Sequence, residues 1–294
     1  MIKKIKYQDI DFDKYKTCIE NSAQKNFYCK KDNLDFLCKN WEILVMGDYE
    51  AVMPIPFVKK AFFKVVDMPL FCQQLGVFSI RDAQEINQNF LDFFKNNYTI
   101  INYQFNTNNQ FTEHLQKKKN YVISVQEYAF LRRKKYFKGR KSTVKTAQYL
   151  EFRELSTHGH ILDFIKNNFK GLEKESDMDF FIRYLFFLEN QNKLKLFGSY
   201  FENKLTNIAV LIDDDNNYAL LGLLNSEELK SHNGASFLID RILEQNIEHK
   251  SFNFMGGSIR GIEVFFKSFG SDLQEYQFIQ NSKKDMIKNL LKIS

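Results

Sequence analysis

The chain has 294 residues, a length that fits one large or two medium domains and exceeds that of a minimal domain. Hydrophobic residues make up 44% and charged residues 27% of it, values typical of a globular protein, which exclude a disordered or fibrous chain. The net charge is +6, yet segment 132–145 alone contains eight cations and no acid, so the remainder carries −2 and a generally basic protein is excluded.

The first half of the chain predicts a mixture of strands and helices. Residues 41–57 predict a hairpin whose two strands flank Met46-Gly47-Asp48. Pro54 and Pro56 are expected to limit the continuation of its second strand into a sheet interior. In chain order we predict strand 2–7, helix 11–22, hairpin 41–57, strands 63–67 and 71–78, helix 82–96, and strands 98–105 and 121–126.

The charge-dense segment 128–139 predicts a domain boundary that divides the chain into 1–135 and 136–294. Three strands joined by short polar links, then a helix and a strand, are typical of a mixed α/β sheet, and the first half shows a shorter, similar order. We predict helix 140–149, strand 150–154, helices 157–169 and 177–190 (Asp177 as N-cap), strands 194–200, 204–212 and 217–224, helix 234–248, strand 251–255, helix 261–268, strand 273–280 and helix 284–292.

The cysteines and the N-terminus indicate a reducing compartment. Cys18, Cys29, Cys38 and Cys72 form no C-x-x-C pair, so we expect neither a disulfide nor a zinc site, and no metal is predicted elsewhere. No apolar signal segment follows Met1, and no run approaches 18 uncharged apolar residues. We therefore expect a cytoplasmic protein without a membrane span.

Three stretches resemble tandem GNAT-like acyltransferases related to the Fem-type aminoacyl transferases. They are residues 41–79 (WEILVMGDYEAVMPIPF, then MPLFCQQLGVFS), the basic helix KGRKSTVKTA at 138–147, and SFNFMGGSIRGIEVFFKSFG at 251–270. The order of elements in the second half is also similar to that of the GNAT fold. The resemblance implies an α/β fold class with mixed sheets, arranged as two tandem GNAT-like domains.

The resemblance implies transfer of an acyl or aminoacyl group to an amine acceptor, with a cell-wall or polysaccharide precursor as one such acceptor. It implies acyl-CoA or aminoacyl-tRNA as the co-substrate, no tightly bound cofactor, and peripheral contact with a lipid-linked precursor. The sequence departs from the family at Asn253, where Asp is more frequent, and at 231–236, which keeps only the middle glycine of an acyl-CoA loop. The alternative is a non-catalytic module that binds RNA or another anionic ligand through 132–145.

Two residues are candidate catalytic groups. Lys267 lies where the resemblance implies a Phe-Lys pair near the acyl donor, and its ammonium could neutralise a phosphate or an oxyanion. Tyr276 could donate a proton to a leaving group, and Tyr49 is a similar phenol that we assign to substrate binding. The competing interpretation is a surface lysine and two ordinary tyrosines among 14.

Further side chains are candidate substrate contacts. Lys141 and Lys145 are four residues apart on one helix face, where Arg140 would join them in holding a phosphate. Gln73 and Gln74 lie in a predicted strand, so only one of them would face a cleft. A solvated helix and a structural amide hydrogen bond are the plainer interpretations.

Glycine-containing segments are the last candidates. Gly256 and Gly257 follow a predicted strand and could expose backbone N–H groups to a substrate, or simply form a turn. Gly234, Ala235 and Ser236 could present helix N-terminal amides to an anionic co-substrate, with Ser236 as N-cap in the simpler account.

Overall fold

A computed structural model describes residues 1–60, 63–172 and 174–282. This part of the chain forms two compact units. Within the described ranges, the first contains Met1–Lys118 together with Glu275–Ser282, and the second contains Lys119–Gln274. The predicted boundary after residue 135 therefore lies inside the second unit, because Leu131 and Tyr136 are buried in the core of that unit. The predicted helix 284–292 lies outside the described residues.

The first unit is built on a sheet with strand order β1-β2-β3-β4-β6, in which β5 also pairs with β3. Its pairs are antiparallel except for β4 with β6, and Phe90 and Phe94 of helix α3 are fully buried. The elements are β1 (Ile2–Lys6), α1 (Phe12–Glu20), α2 (Lys31–Leu37), β2 (Trp41–Met46), β3 (Ala51–Lys60), β4 (Phe63–Val66), β5 (Phe78–Ser79), α3 (Gln84–Asn97), β6 (Thr99–Ile100) and β7 (Asn102–Gln104).

The expectation that Pro54 and Pro56 keep β3 out of the sheet interior is wrong. β3 runs through both prolines with β2 on one side and with β5 and β4 on the other. On that second side, β5 pairs only up to Val52 and β4 pairs only from Phe57. The prolines stand in the gap between these partners, where a missing N–H breaks no ladder hydrogen bond.

The predicted strand 71–78 is largely wrong as well. Only Phe78–Ser79 is a strand, and Leu75 makes an isolated bridge to Phe105. Phe71 has φ of 65° and Gly76 has φ of 101°, values that interrupt an extended chain twice within this segment. The run is apolar because it is buried, with Leu75 fully covered, and burial alone does not distinguish a strand from a packed loop.

The second unit contains a sheet with strand order β8-β13-β12-β11-β10-β9. All of these neighbours are antiparallel except β12 with β13. Asp177 is not the N-cap of its helix, because α7 begins two residues earlier. The remaining elements are β8 (Gln116–Ile123), α4 (Tyr128–Phe130, continued by the π-helical turn Leu131–Lys135), α5 (Lys138–Thr146), β9 (Glu151–Leu155), α6 (Gly159–Asn168), α7 (Glu175–Asn190), β10 (Leu194–Phe201), β11 (Lys204–Asp214), β12 (Asn217–Asn225), α8 (Gly234–Asn246), β13 (Ser251–Asn253), α9 (Arg260–Lys267) and β14 (Asp272–Gln280).

Helix α8 lies in the core of the second unit. Its Leu238, Ile239 and Ile242 are fully buried among side chains of β8, β11 and β13. The chain enters this unit within β8 and leaves it within β14, whose end pairs with β7 in the first unit. Of the helices in the described ranges, none combines the length and the apolar character needed to cross a bilayer.

Candidate functional site

An opening in the sheet of the second unit is the central feature of the candidate site. The parallel strands β12 and β13 pair only from Asn217 to Ala219, whereas β12 continues to Asn225. At this point the register of β12 against β11 slips, because Gly222 faces Val210 and Leu220 already faces Leu211. One extra residue, Leu221, is thus bulged out of the ladder, and bulges bend and twist a strand.

The bulged stretch of β12 is partly open to solvent although it lies in a central strand. Leu221, Gly222 and Leu223 are half-buried, while Leu220 and Leu224 on either side are buried. Beyond Ala219 the edge that faced β13 has no strand partner in the described chain. Backbone N–H and C=O groups along this edge are therefore free to pair with a ligand of extended shape.

The segment after β13 forms the other side of this opening. Met255 has φ of 56°, and its N–H donates to the Asn253 side-chain oxygen at 2.7 Å, so this residue shapes the turn. Gly257 has φ of 135°, and a Cβ there would lie 2.5 Å from the Tyr121 ring, which makes Gly257 a packing requirement. Gly256 has no atom within 4 Å of a Cβ position and borders open space.

The N-terminus of α8 is held close against β10 and β11. A Cβ on Gly234 would meet Asn207 Oδ1 at 1.9 Å and Thr206 Oγ1 at 2.6 Å. Asn233, with φ of 58°, is the N-cap residue, so the expectation that Ser236 caps the helix is wrong. Among the described hydrogen bonds, none uses the N–H groups of Gly234 or Ala235, as is usual for the first turn of a helix.

Arg140 joins the basic segment to this helix terminus. Its guanidinium donates to the hydroxyl of Ser236 and, through Nε at 2.8 Å, to that of Ser268. The guanidinium carbon also lies 4.4 and 4.5 Å from the ring centroids of Phe265 and Phe269. The structure therefore brings Arg140, Ser236 and the residues that flank Lys267 together within the second unit.

The other two predicted cations of the basic helix are placed differently. Lys141 directs its ammonium at 2.7 Å to the backbone carbonyl of Arg133, and Lys145 is exposed on the next turn. Arg133, Lys134 and Lys138 are also exposed. Part of the predicted phosphate-binding group is thus engaged by protein, and the rest remains solvated.

Lys267 lies at the end of α9 in a cluster centred on Glu263. Its Nζ is 3.8 Å from a Glu263 carboxylate oxygen, and half of its side chain is exposed. Glu263 also accepts from Lys119 at 3.0 Å and from the Tyr121 hydroxyl at 2.8 Å. These hydrogen bonds, first the one from Lys119 and then the one from Tyr121, lower the pKa of the Glu263 carboxyl and keep it ionised.

Gln73, Gln74 and Tyr276 form a buried network in the first unit. Gln74 accepts from the N–H of Thr107 at 3.1 Å, and its amide lies 3.4 Å from Gln73 Oε1. Tyr276 donates to Gln104 at 3.1 Å, and burial, opposed by the hydrogen bond with Gln73, raises its pKa to about 12. The expectation that the two glutamines point to opposite faces is wrong, because this segment is a loop in which both are covered.

Tyr49 is also a buried phenol of the first unit. Its hydroxyl accepts the backbone N–H of Asp11 at 2.8 Å, directly before α1. With φ of 64°, Tyr49 closes the turn between β2 and β3. These contacts give Tyr49 a structural role. In the described ranges no group of three or more His, Cys, Asp and Glu side chains could hold a metal ion.

The bulge at Leu221, the acceptor Ser268 and the cluster around Glu263 were not predicted from the sequence. Of these three features, only the bulge has a sequence pattern that could have revealed it, because an isolated glycine such as Gly222 inside a strand pattern indicates a bulge. The contacts of Ser268 and Glu263 join residues 128 and 144 positions apart, and no local pattern encodes them.

Comparison with known proteins identifies the fold. No protein-family model matches the chain, and no curated protein matches its sequence. The chain is similar to the crystal structure of FemX, with a TM-score of 0.67, 10% identity and coverage of 98% of this chain and 100% of FemX.

Two further solved structures agree with this result. A tandem GNAT protein from the clavulanic acid biosynthesis pathway has a TM-score of 0.56 and 8% identity, over 95% of this chain and 97% of its own. The C-terminal domain of a putative lysylphosphatidylglycerol synthetase from Agrobacterium fabrum has a TM-score of 0.50 and 10% identity, over 94% and 95%. The predicted fold class is confirmed, and the chain has a tandem GNAT-like fold similar to that of FemX.

Proposed function

We propose that this protein is an N-acyltransferase whose acyl or aminoacyl donor binds in the second unit, at the opening between β12 and β13. The observation that carries the proposal is the short pairing of these strands, which ends at Ala219 while β12 continues as a bulged, partly exposed edge. An elongated donor could lie along this edge and hydrogen-bond to its backbone.

The anionic end of the donor would bind at the N-terminus of α8. The N–H groups of Gly234 and Ala235 lie in the first turn, where the helix dipole favours a phosphate. The guanidinium of Arg140, bonded to Ser236, places a positive charge beside that turn. Both CoA and the end of an aminoacyl-tRNA carry phosphates, so this anchor is compatible with either donor.

The chemical step would be aminolysis of the donor. The acceptor nitrogen attacks the carbonyl carbon, the C–S or C–O bond to the leaving group breaks, the amine loses a proton, and the leaving group gains one. N–H groups of the bulged β12 edge would stabilise the tetrahedral oxyanion. In this proposal Lys267 contributes positive charge near the donor phosphate. Orientation of donor and acceptor supplies most of the rate, as is general for reactions between two bound substrates.

The experiment compares donor binding by the wild type and Ala235→Glu. A carboxylate in the first turn favours the helix and repels a phosphate, so stability should be kept while affinity falls at least tenfold. Gln245→Glu is the matched control, because it adds the same charge to the exposed, opposite end of α8. Binding of acetyl-CoA is measured by calorimetry and that of aminoacyl-tRNA by gel shift.

The proposal fails if neither donor class binds the wild type, or if Ala235→Glu binds as tightly as Gln245→Glu. Catalysis is tested separately, by incubating the protein with radiolabelled donor and a panel of amino sugars and peptides. Labelled product that requires the protein is the expected result.

A second function is favoured by one observation, the exposed cations of the basic segment. Arg133, Lys134, Lys138 and Lys145 are solvent-exposed in the second unit. A non-catalytic module that binds RNA would use them, and its affinity would fall steeply with salt. Replacement of Lys134 and Lys138 by Gln would then weaken RNA binding, whereas Ala235→Glu would leave it unchanged.

A further inference from the structure

The first unit contains a group of lysines on one face of its sheet. In the strand register Lys6 of β1 lies opposite Glu42 of β2, and Glu42 in turn lies opposite Ile55 of β3. Because side chains alternate along a strand, Lys59 shares the face of Ile55, and its partner Lys64 in β4 does too. Lys4, two residues before Lys6, adds a fourth ammonium to this face.

The carboxylate at the centre of this group is already satisfied. Glu42 is 1% exposed, and it accepts from the Tyr98 hydroxyl at 2.7 Å and from the ammonium of Lys64. Burial lowers the pKa of Lys4. The nearby charge of Glu42 opposes this shift, and that of Lys64 adds to it. Four lysines therefore share a face of the sheet with one carboxylate that is already paired with Lys64, and the face carries excess positive charge.

The pair Lys59 and Lys64 is unfavourable for the protein alone. The two residues are directly opposite on an antiparallel ladder, where like charges destabilise a sheet. Lys64 turns to Glu42, but Lys59 has no carboxylate partner within the described ranges, and neither have Lys6 and Lys39. Among the described residues, three ammonium groups at this site thus lack a carboxylate partner and are available to an external anion.

These lysines line a cavity of about 710 Å³. Its acids are Glu42 and Asp35, and Asp35 accepts from Lys31 at 2.5 Å, from the Trp41 indole N–H at 2.9 Å and from the Tyr7 hydroxyl. The volume lies in the range of small-molecule sites. The cations thus converge on a concavity rather than spread over a convex surface, which favours a compact ligand over a nucleic acid.

We propose that this cavity binds a compact anion with two or more negative charges. Lys6, Lys39 and Lys59 would bind the charge, Lys64 would remain paired with Glu42, and the aromatic wall around Trp41 would contact the body of the ligand. A phosphate ester and a polycarboxylate share this chemistry, and titration with pyrophosphate and with citrate distinguishes them.

Trp41 is the single tryptophan of the chain and lines the cavity, so its fluorescence reports occupancy directly. We would titrate the full chain with pyrophosphate, with citrate, and with NaCl at matched ionic strength. A saturable change in emission with pyrophosphate assigns a phosphate ligand, and one with citrate alone assigns a carboxylate. A change that does not saturate, or that NaCl reproduces, overturns the proposal.

Variants test the lysines individually. Lys59→Gln and Lys6→Gln should each weaken the anion at least tenfold, whereas the exposed Lys25→Gln of the same unit should change the affinity less than twofold. Without ligand, Lys59→Gln should melt at the same or a higher temperature than the wild type, because it removes the like-charge pair. Equal affinity of Lys59→Gln and Lys25→Gln would overturn the proposal even if the anion binds.

Discussion

Replacement of Arg140 tests whether this cation holds two helices together. Its guanidinium donates to Ser236 of α8 and to Ser268 after α9, and its carbon lies 4.4 and 4.5 Å from the ring centroids of Phe265 and Phe269. A hydrogen bond from a charged donor contributes about 1.5–3 kcal/mol, and each cation–π contact about 0.5–1 kcal/mol. Because the side chain remains partly exposed, we expect Arg140→Ala to lower the free energy of unfolding by about 3 kcal/mol.

Two further variants make the result specific. Arg140→Lys keeps the charge but not the planar fork that reaches both hydroxyls, so it should still lose about 2 kcal/mol. Lys145→Gln removes an exposed cation of the same helix and should change stability by less than about 0.5 kcal/mol. Urea unfolding followed by circular dichroism measures all three. Full stability of Arg140→Lys would show that charge alone suffices and would refute the bridging geometry.

Three further predictions concern other contacts of the chain. Gly234→Ala should destabilise by about 2 kcal/mol in thermal unfolding, because its Cβ meets Asn207, whereas Gly256→Ala, whose Cβ meets nothing, should be neutral. Tyr276→Phe should lose about 1 kcal/mol with its hydrogen bond to Gln104, yet leave donor binding unchanged. Burial raises the pKa of Asp240, so the folded chain holds this proton more tightly than the unfolded chain. Stability should therefore fall as pH rises from the ordinary carboxyl pKa through the raised one, and Asp240→Asn should flatten this dependence in melting curves between pH 4 and 8.

Local patterns predicted the regular part of the fold. Strands β10, β11 and β12 are long, mostly apolar runs joined by short polar turns. The predicted ends of each strand therefore lie within two residues of the observed ends. Segment 71–78 was mistaken for a strand because a buried loop is equally apolar, and only the left-handed conformations of Phe71 and Gly76 distinguish it.

The candidate site was predicted less completely because its contacts join distant residues. The first residues of α8 and β13 were predicted correctly, although β13 ends at Asn253 and not at residue 255. The opening between β12 and β13 depends on a register slip that no residue pattern specifies fully. Tyr49 and Tyr276 were selected for their chemistry. The sequence does not give their burial or their hydrogen bonds with the Asp11 N–H and with Gln104, and their roles in substrate binding and proton donation stay predictions.

Some cations of the basic segment 132–145 are engaged by protein groups, and others are exposed. Of its cations, Arg140 is occupied by Ser236 and Ser268, and Lys141 by a backbone carbonyl, while Arg133, Lys134 and Lys138 remain exposed. Arg140 nevertheless lies beside the N-terminus of α8, where a bound phosphate would contact both the helix N–H groups and the guanidinium. A donor bound at α8 should therefore stabilise the wild type more than it stabilises Arg140→Lys. Equal stabilisation would show that the phosphate site at α8 is independent of the contacts by which Arg140 links α8 to α9.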